Sequence, residues 1–184
     1  KALWKQYWHR RSELLEKHEA YDIKVKPLDP PAMRHSAHTW WDHLDVDGLL
    51  DQQKLNEAFL FHGTDPDVAL VHITEHGFDE RVANLNGLYG AGSYFANQSC
   101  KASQYAKAAV EWVPVKYEGG NLHMATVKTM IIARVALGDP YYATGHRQKA
   151  RRPPVREQAP QSIWQFLTQG GMSKPGADSL TYDS

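Results

Sequence analysis

Cysteine is nearly absent from this chain. Cys100 stands alone, which excludes an internal disulfide and any multi-cysteine zinc site. Neither sign of charge is in excess, since 21 lysines and arginines meet 21 aspartates and glutamates. With a formal net charge of +0, no global field draws the chain toward nucleic acid or a membrane surface. Long hydrophobic runs are missing too. The longest, residues 130–137, contains Arg134 and falls far short of a membrane span. Internal repeats and a secretory leader are not legible, and the chain opens at Lys1 instead of methionine. We expect the sequence to be trimmed at both ends. The cysteine usage fits a reducing intracellular compartment, cytoplasmic or nuclear.

What remains is enough for a sizeable core: 184 residues, expected to form a single domain over 1–184. Trp4, Tyr7, Trp8, Arg11, Leu14, Leu15 and His18 fall on one side at helical spacing, which predicts an amphipathic helix packed on a sheet. Residues 21–55 carry Pro27, Pro30 and Pro31 and read as an irregular insertion, with a short aromatic helix around Trp40 and Trp41. Residues 59–61 read as a buried strand. Asp65 is placed to cap a helix that starts at Pro66 and stops at Gly77. Residues 93–96 predict a strand, and Ser99 predicts the cap of a helix through Tyr105 to about Val110. Residues 126–137 are the strongest strand signal, closed by the turn at 138–140. Everything after Tyr142 reads as loop. Strands and helices that do not alternate regularly predict an α+β fold.

Chemistry concentrates in three short blocks. The first is Leu60-Phe61-His62-Gly63-Thr64, the second Gly77-Phe78-Asp79-Glu80-Arg81, and the third Tyr89-Gly90-Ala91-Gly92-Ser93-Tyr94-Phe95-Ala96. His62 comes at the end of an apolar strand, where a side chain can reach a cleft. A lone histidine in that position is more often a satisfied core residue. Gly63 changes the balance, because its bare backbone offers one N–H and one C=O to a planar amide. Tyr94 and Tyr105, eleven positions apart, are either ordinary core aromatics or two rings able to stack on a flat ligand.

These blocks, in this order, resemble the catalytic domain of the poly(ADP-ribose) polymerase family, most closely its tankyrase-like members. The resemblance covers residues 2–11 and about 56–137, with a looser echo to Ser184. It implies the ADP-ribosyltransferase fold, two packed and mostly antiparallel sheets with flanking helices around an NAD cleft. It implies an NAD-dependent protein ADP-ribosyltransferase that releases nicotinamide, with NAD as co-substrate and no metal. His62 and Tyr94 would be the catalytic residues. NAD would be held by His62, Gly63, Thr64, Gly77, Asp79, Tyr94, Lys101, Ser103 and Tyr105. Of these, His62 would bond the adenosine ribose, Gly63 would clamp the nicotinamide carboxamide, and Tyr94 and Tyr105 would sandwich the ring. The implied partners are NAD, nicotinamide-like inhibitors and a protein acceptor; no membrane partner is expected, and nucleic acid is not evident as a partner of this domain.

Three departures from the family pattern stand out. The serine that bonds the carboxamide should lie three residues before the second tyrosine, where this chain has Ala102 and then Ser103. One residue on a helix is a rotation of roughly 100°, so Ser103 replaces it only with a local shift. Where tankyrase-like members place a histidine against adenine, this chain has Val82, which predicts a more apolar grip. The catalytic glutamate is expected on a late strand beyond the point matching Ser184, and Glu157 comes too early. An inactive NAD or ADP-ribose binding module is therefore the alternative. A zinc peptidase is a third reading, because His72-Ile73-Thr74-Glu75-His76 fits an H-x-x-E-H pattern. Gly77 ends that helix at once, however, and no third ligand is evident. His35 and His38 form a weaker pair. The basic residues of 147–156, interrupted by Pro153 and Pro154, read as a solvated loop.

Overall fold

The structure, a computed structural model, describes residues 2–27, 49–65, 70–114, 122–143, 146, 148–153 and 179–181. At residue 80 and at 113–114, 122–123 and 179–181 it describes the backbone alone. Two compact units emerge. The first comprises Lys1–Ala58, Glu80–Ser93 and Ala136–Ser184, and the second Phe59–Asp79 and Tyr94–Val135. No helix among the described residues is long and apolar enough to cross a membrane.

In the first unit, helix α1 (Ala2–Ala20) carries Lys17 in its last turn, where positive charge suits the helix dipole. Its inward stripe is Tyr7, Arg11, Leu14, Leu15 and His18, as expected. Trp4 and Trp8 lie outside that stripe, 52% and 40% exposed, contrary to the sequence reading. Spacing does not account for this, since Trp4 lies three residues before Tyr7, on the same meridian, and Trp8 falls only just beyond Leu15. They meet one another and Tyr7 instead: Trp4 stacks on Tyr7 at 5.8 Å and meets Trp8 edge-on at 5.6 Å.

The stripe ends in polar contacts. Glu57 is fully buried, and its carboxylate accepts from Tyr7 Oη (2.5 Å), Arg11 Nε (3.0 Å) and the Asp51 N–H (2.7 Å). Arg11 Nη2 also reaches Asp51 Oδ2 at 2.9 Å. A buried carboxylate persists only when it is paired and hydrogen-bonded, and this one is both. Asp51 Oδ1 in turn caps the short helix α2 (Gln52–Leu55), accepting from the Lys54 N–H at 2.9 Å. Asn56 closes α2 in the left-handed conformation. Its amide donates to the carbonyls of Lys26 (2.8 Å) and Gly138 (2.9 Å), tying three chain segments together. Leu55, Ala58 and Leu137 form the apolar core of this unit. The insertion expected over 21–55 is irregular as far as residue 27, and it contains α2. Its aromatic helix around Trp40 and Trp41 lies outside the described residues.

Strand β1 (Glu57–Gly63) leads into the second unit and contains the expected buried strand. Leu60 and Phe61 are buried there, together with Ala102 and Ala106. Helix α3 (Val71–His76) ends where the sequence predicted, with the Gly77 N–H bonded to the Ile73 carbonyl at 2.8 Å. The start expected at Pro66 lies outside the described residues; Leu70, before the first residue of α3, already has helical φ and ψ and makes no side-chain cap bond. The Asp65 carboxylate faces Lys107 Nζ at 3.5 Å.

The long helix expected over 99–110 is not formed. Helix α4 (Ser99–Ala102) is one turn long, its cap is Gln98 instead of Ser99, and β2 (Ala108–Pro114) follows. Two features account for this. Lys128 Nζ donates to the Ser103 carbonyl at 2.8 Å, which satisfies the helix end. Val110, Trp112 and Val113 favour a pleated strand, and β3 (Leu122–Lys128) supplies its antiparallel partner. The strong strand expected over 126–137 is divided at Thr129 into the end of β3 and β4 (Met130–Ala136), which pairs with β1. Residues 93–96 form no regular strand, only a single antiparallel bridge between Phe61 and Ala96. In the first unit, β5 (Pro140–Tyr142) pairs in parallel with β6 (Ser179–Thr181), so the region after Tyr142 is not all loop.

Candidate active site

Apart from Val82, the residues expected from the sequence to hold NAD fall in the second unit. The bridge that organises them is reciprocal. The Phe61 N–H donates to the Ala96 carbonyl and the Ala96 N–H to the Phe61 carbonyl, each at 2.8 Å. Residues opposite one another in such a pair exchange both bonds, so their neighbours, His62 and Phe95, form the closer non-bonded pair. The pairing register thus sets His62 against Phe95. Their ring centroids are 5.6 Å apart.

His62 is held a second way. Its Nδ1 lies 2.7 Å from the Tyr94 carbonyl oxygen. A carbonyl only accepts, so Nδ1 carries the hydrogen of this bond. In the neutral ring that leaves the Nε2 lone pair as an acceptor for a hydroxyl donor. A third restraint comes from Phe78, which meets the imidazole edge-to-face at 5.0 Å and Phe95 at 4.9 Å. Three rings from three chain segments close on one another.

Phe78 can take part because of the residue before it. Gly77 has φ +88° and ψ −178°, a conformation that costs a side-chain-bearing residue heavily. Asp79 follows and is half-buried. Phe78 and Phe95 were not singled out from the sequence. The signal for Phe95 was present, since pairing residues 61 and 96 places 62 and 95 side by side. Nothing in the spacing reveals Phe78.

Gly63, next along β1, lies against helix α4. A Cβ on Gly63 would come within 1.9 Å of the Ala102 carbonyl oxygen, so only glycine fits. Thr64 is half-buried beyond it. On α4, Lys101 is half-buried and Ala102 is buried, where the family pattern has serine. Ser103 Oγ turns back on its own turn and donates to the Cys100 carbonyl at 2.9 Å. Tyr105 lies in the turn after α4, 64% exposed, and Tyr94 is 38% exposed. The two rings are thus presented by the segments on either side of α4. Val82, expected near adenine, lies in a short 3-10 turn (Glu80–Val82) of the first unit and is 77% exposed.

The histidines of the H-x-x-E-H stretch are exposed on α3, with their rings 4.8 Å apart. Among the described residues, no three His, Cys, Asp or Glu side chains are grouped to hold a metal ion. Glu157, His35 and His38 lie outside the described residues. In a comparison with known families, the family model of the poly(ADP-ribose) polymerase catalytic domain matches residues 40–179, well over half of the chain.

Proposed function

The chain belongs to the poly(ADP-ribose) polymerase catalytic-domain family, and we propose on that basis that it transfers ADP-ribose from NAD to a protein side chain. Its fold is the ADP-ribosyltransferase fold, of α+β class, and the family supports ADP-ribosyltransferase chemistry with NAD as substrate. The observation that carries the reading to these residues is the fixed His62. Its Nδ1 is occupied by the Tyr94 carbonyl, which leaves Nε2 to accept from a ribose hydroxyl beside the bare backbone of Gly63. Gly63 would receive the nicotinamide carboxamide, and Tyr94 and Tyr105 would face the ring. Thr64, Gly77, Asp79, Lys101 and Ser103 would complete the NAD contacts.

In the reaction, the bond between the ribose C1 and the nicotinamide nitrogen breaks, and its electron pair leaves with nicotinamide. The acceptor side chain forms the new bond at C1 and loses a proton. The transition state resembles an oxocarbenium ion, as in glycoside hydrolysis. A carboxylate near it would stabilise that charge, and no described residue takes this role in our reading.

A second reading draws on Ala102. Without the serine, and with the Ser103 hydroxyl directed to Cys100, nicotinamide is held less firmly, which suits a module that binds NAD without turning it over. One assay separates the two. Labelled NAD is added to the protein, with nicotinamide release and label transfer followed together. Both are expected for a transferase, whereas saturable NAD binding without either would make it a binding module. Nicotinamide at a hundred times its dissociation constant should stabilise the fold by about 2.7 kcal/mol. No melting shift at millimolar nicotinamide would sink the pocket itself.

A further inference from the structure

His62 has two aromatic neighbours that reach it by different routes. Phe95 is delivered by strand pairing, because the Phe61–Ala96 bridge fixes residue 95 opposite residue 62. No ladder delivers Phe78. It is the second residue after α3, and its direction is set by the positive φ of Gly77. Yet its ring is the nearer to the imidazole, 5.0 Å against 5.6 Å, and it also contacts Phe95 at 4.9 Å.

An imidazole anchored at one nitrogen still has freedom to tilt about that bond. The Nδ1 contact to the Tyr94 carbonyl fixes where the ring is attached, not the direction in which Nε2 points. Phe78 lies almost perpendicular to the imidazole, at 81°, and so blocks one sense of that tilt. Phe95, at 54°, meets the imidazole obliquely and from farther away.

From this geometry we propose that Phe78 is a positioning residue for His62, coupling the Gly77–Asp79 loop to the direction of the histidine Nε2. The proposal rests on the reading of His62 as the group that bonds the ribose of NAD. It gives the loop a role distinct from contact with the ligand. A loop displaced by a turn at Gly77 would withdraw Phe78 and release the imidazole, so ribose binding and loop closure become one event. Nicotinamide alone, placed at Gly63, Tyr94 and Tyr105, would not sense it.

That asymmetry supplies the test. Phe78→Leu removes the ring, and Phe78→Tyr keeps it. Affinities for NAD and for nicotinamide are measured for both variants and the wild type. The His62 ring nitrogens are followed by two-dimensional NMR, which reports the tautomer. For Phe78→Leu we expect NAD to bind about tenfold more weakly, as the loss of one aromatic pair implies. Nicotinamide affinity should stay within about twofold. The His62 resonances should move from the Nδ1-protonated pattern toward a tautomer average, and Phe78→Tyr should restore both signals. Wild-type NAD affinity with unmoved His62 resonances in Phe78→Leu would overturn the proposal. So would an equal loss of both ligands, which marks a plain packing residue. A wild-type protein that binds nicotinamide but not NAD would show that His62 is not the ribose group, and the coupling would fall with it.

Discussion

Gly63 and Ala102 approach so closely that a Cβ on Gly63 would stand 1.9 Å from the Ala102 carbonyl oxygen. The obstacle is backbone, the last carbonyl of a one-turn helix, which already accepts from the Tyr105 N–H while Lys128 holds the next carbonyl, that of Ser103, so a larger residue has no flexible neighbour to push aside. Gly63→Ala should therefore shift α4 and with it Lys101 and Ser103. We expect a loss of about 1–3 kcal/mol in stability, the usual scale of overpacking. Nicotinamide affinity should fall at least as much. Thermal melts with and without nicotinamide check both. A variant that melts and binds like the wild type would mean that α4 does not rest on Gly63.

Ala102→Ser addresses the departure from the family pattern. Position 102 is buried, and a hydroxyl placed there without a partner would be costly. If it faces the carboxamide, bound nicotinamide gains about 0.5–1.5 kcal/mol, read by calorimetry as a several-fold tighter Kd. Unchanged affinity would show that the new hydroxyl turns back to its own helix, as Ser103 already does toward Cys100.

How far the sequence foretold this site depends on whether a residue acts through local or distant contacts. The Gly77 stop of α3 was legible because a helix end is local, and so was β1, an apolar run bounded by glycine. The helix expected over 99–110 was not, because the alanines at 108 and 109 favour helix until β3 arrives as a partner from elsewhere in the chain. His62 and Gly63 could be read from motif order. Phe78 could not, since its contact with His62 spans a helix and a turn. Trp4 and Trp8 looked like core for the same reason that Glu57 did not. Composition favours burying an indole and exposing a carboxylate, while at Glu57 the polar partners Tyr7, Arg11 and the Asp51 N–H decide otherwise.

That buried carboxylate is testable through its partner. Arg11 donates Nε to Glu57 and Nη2 to Asp51 from one planar fork, whose fixed geometry a lysine ammonium lacks even with its three N–H donors. Arg11→Met leaves Glu57 charged in a buried place and should cost about 3–5 kcal/mol in urea unfolding. Arg11→Lys should recover only part of this. Full recovery by lysine would show that charge, and not the fork of the guanidinium, holds α1 to the start of β1.

Glu13 offers a pH test on the outer face of α1. Its hydrogen bond from Arg10 lowers the carboxyl pKa, burial opposes slightly, and the nearby charges of Arg10 and His9 lower it further. A depressed folded-state pKa contributes stability that is present above the unfolded value. That contribution is lost as the pH falls through the folded one. Carbon-detected titration should therefore find the Glu13 midpoint below its ordinary value, moving up in Arg10→Gln. An unmoved midpoint would mean that solvent dominates at this exposed site.

The last expectation concerns His62 itself. His62→Ala removes the proposed acceptor for the ribose hydroxyl and leaves the Tyr94 carbonyl without its side-chain donor. Losing one such hydrogen bond should weaken NAD by about 1–3 kcal/mol, roughly five- to 150-fold in Kd. In this reading nicotinamide would bind away from the adenosine ribose and should lose little, and the glycosidic bond that breaks would be remote from the histidine. The variant should thus be rescued in part by raising NAD, with KM rising more than kcat falls. His62→Gln tests the geometry, because its amide can donate to the Tyr94 carbonyl and still accept from a hydroxyl, though without the ring that Phe78 and Phe95 hold. It should fall between alanine and the wild type in NAD affinity. If all three proteins bind NAD equally while differing in label transfer, the histidine acts on the chemical step and not on the ribose. The role assigned to it would then be wrong even with the family correct.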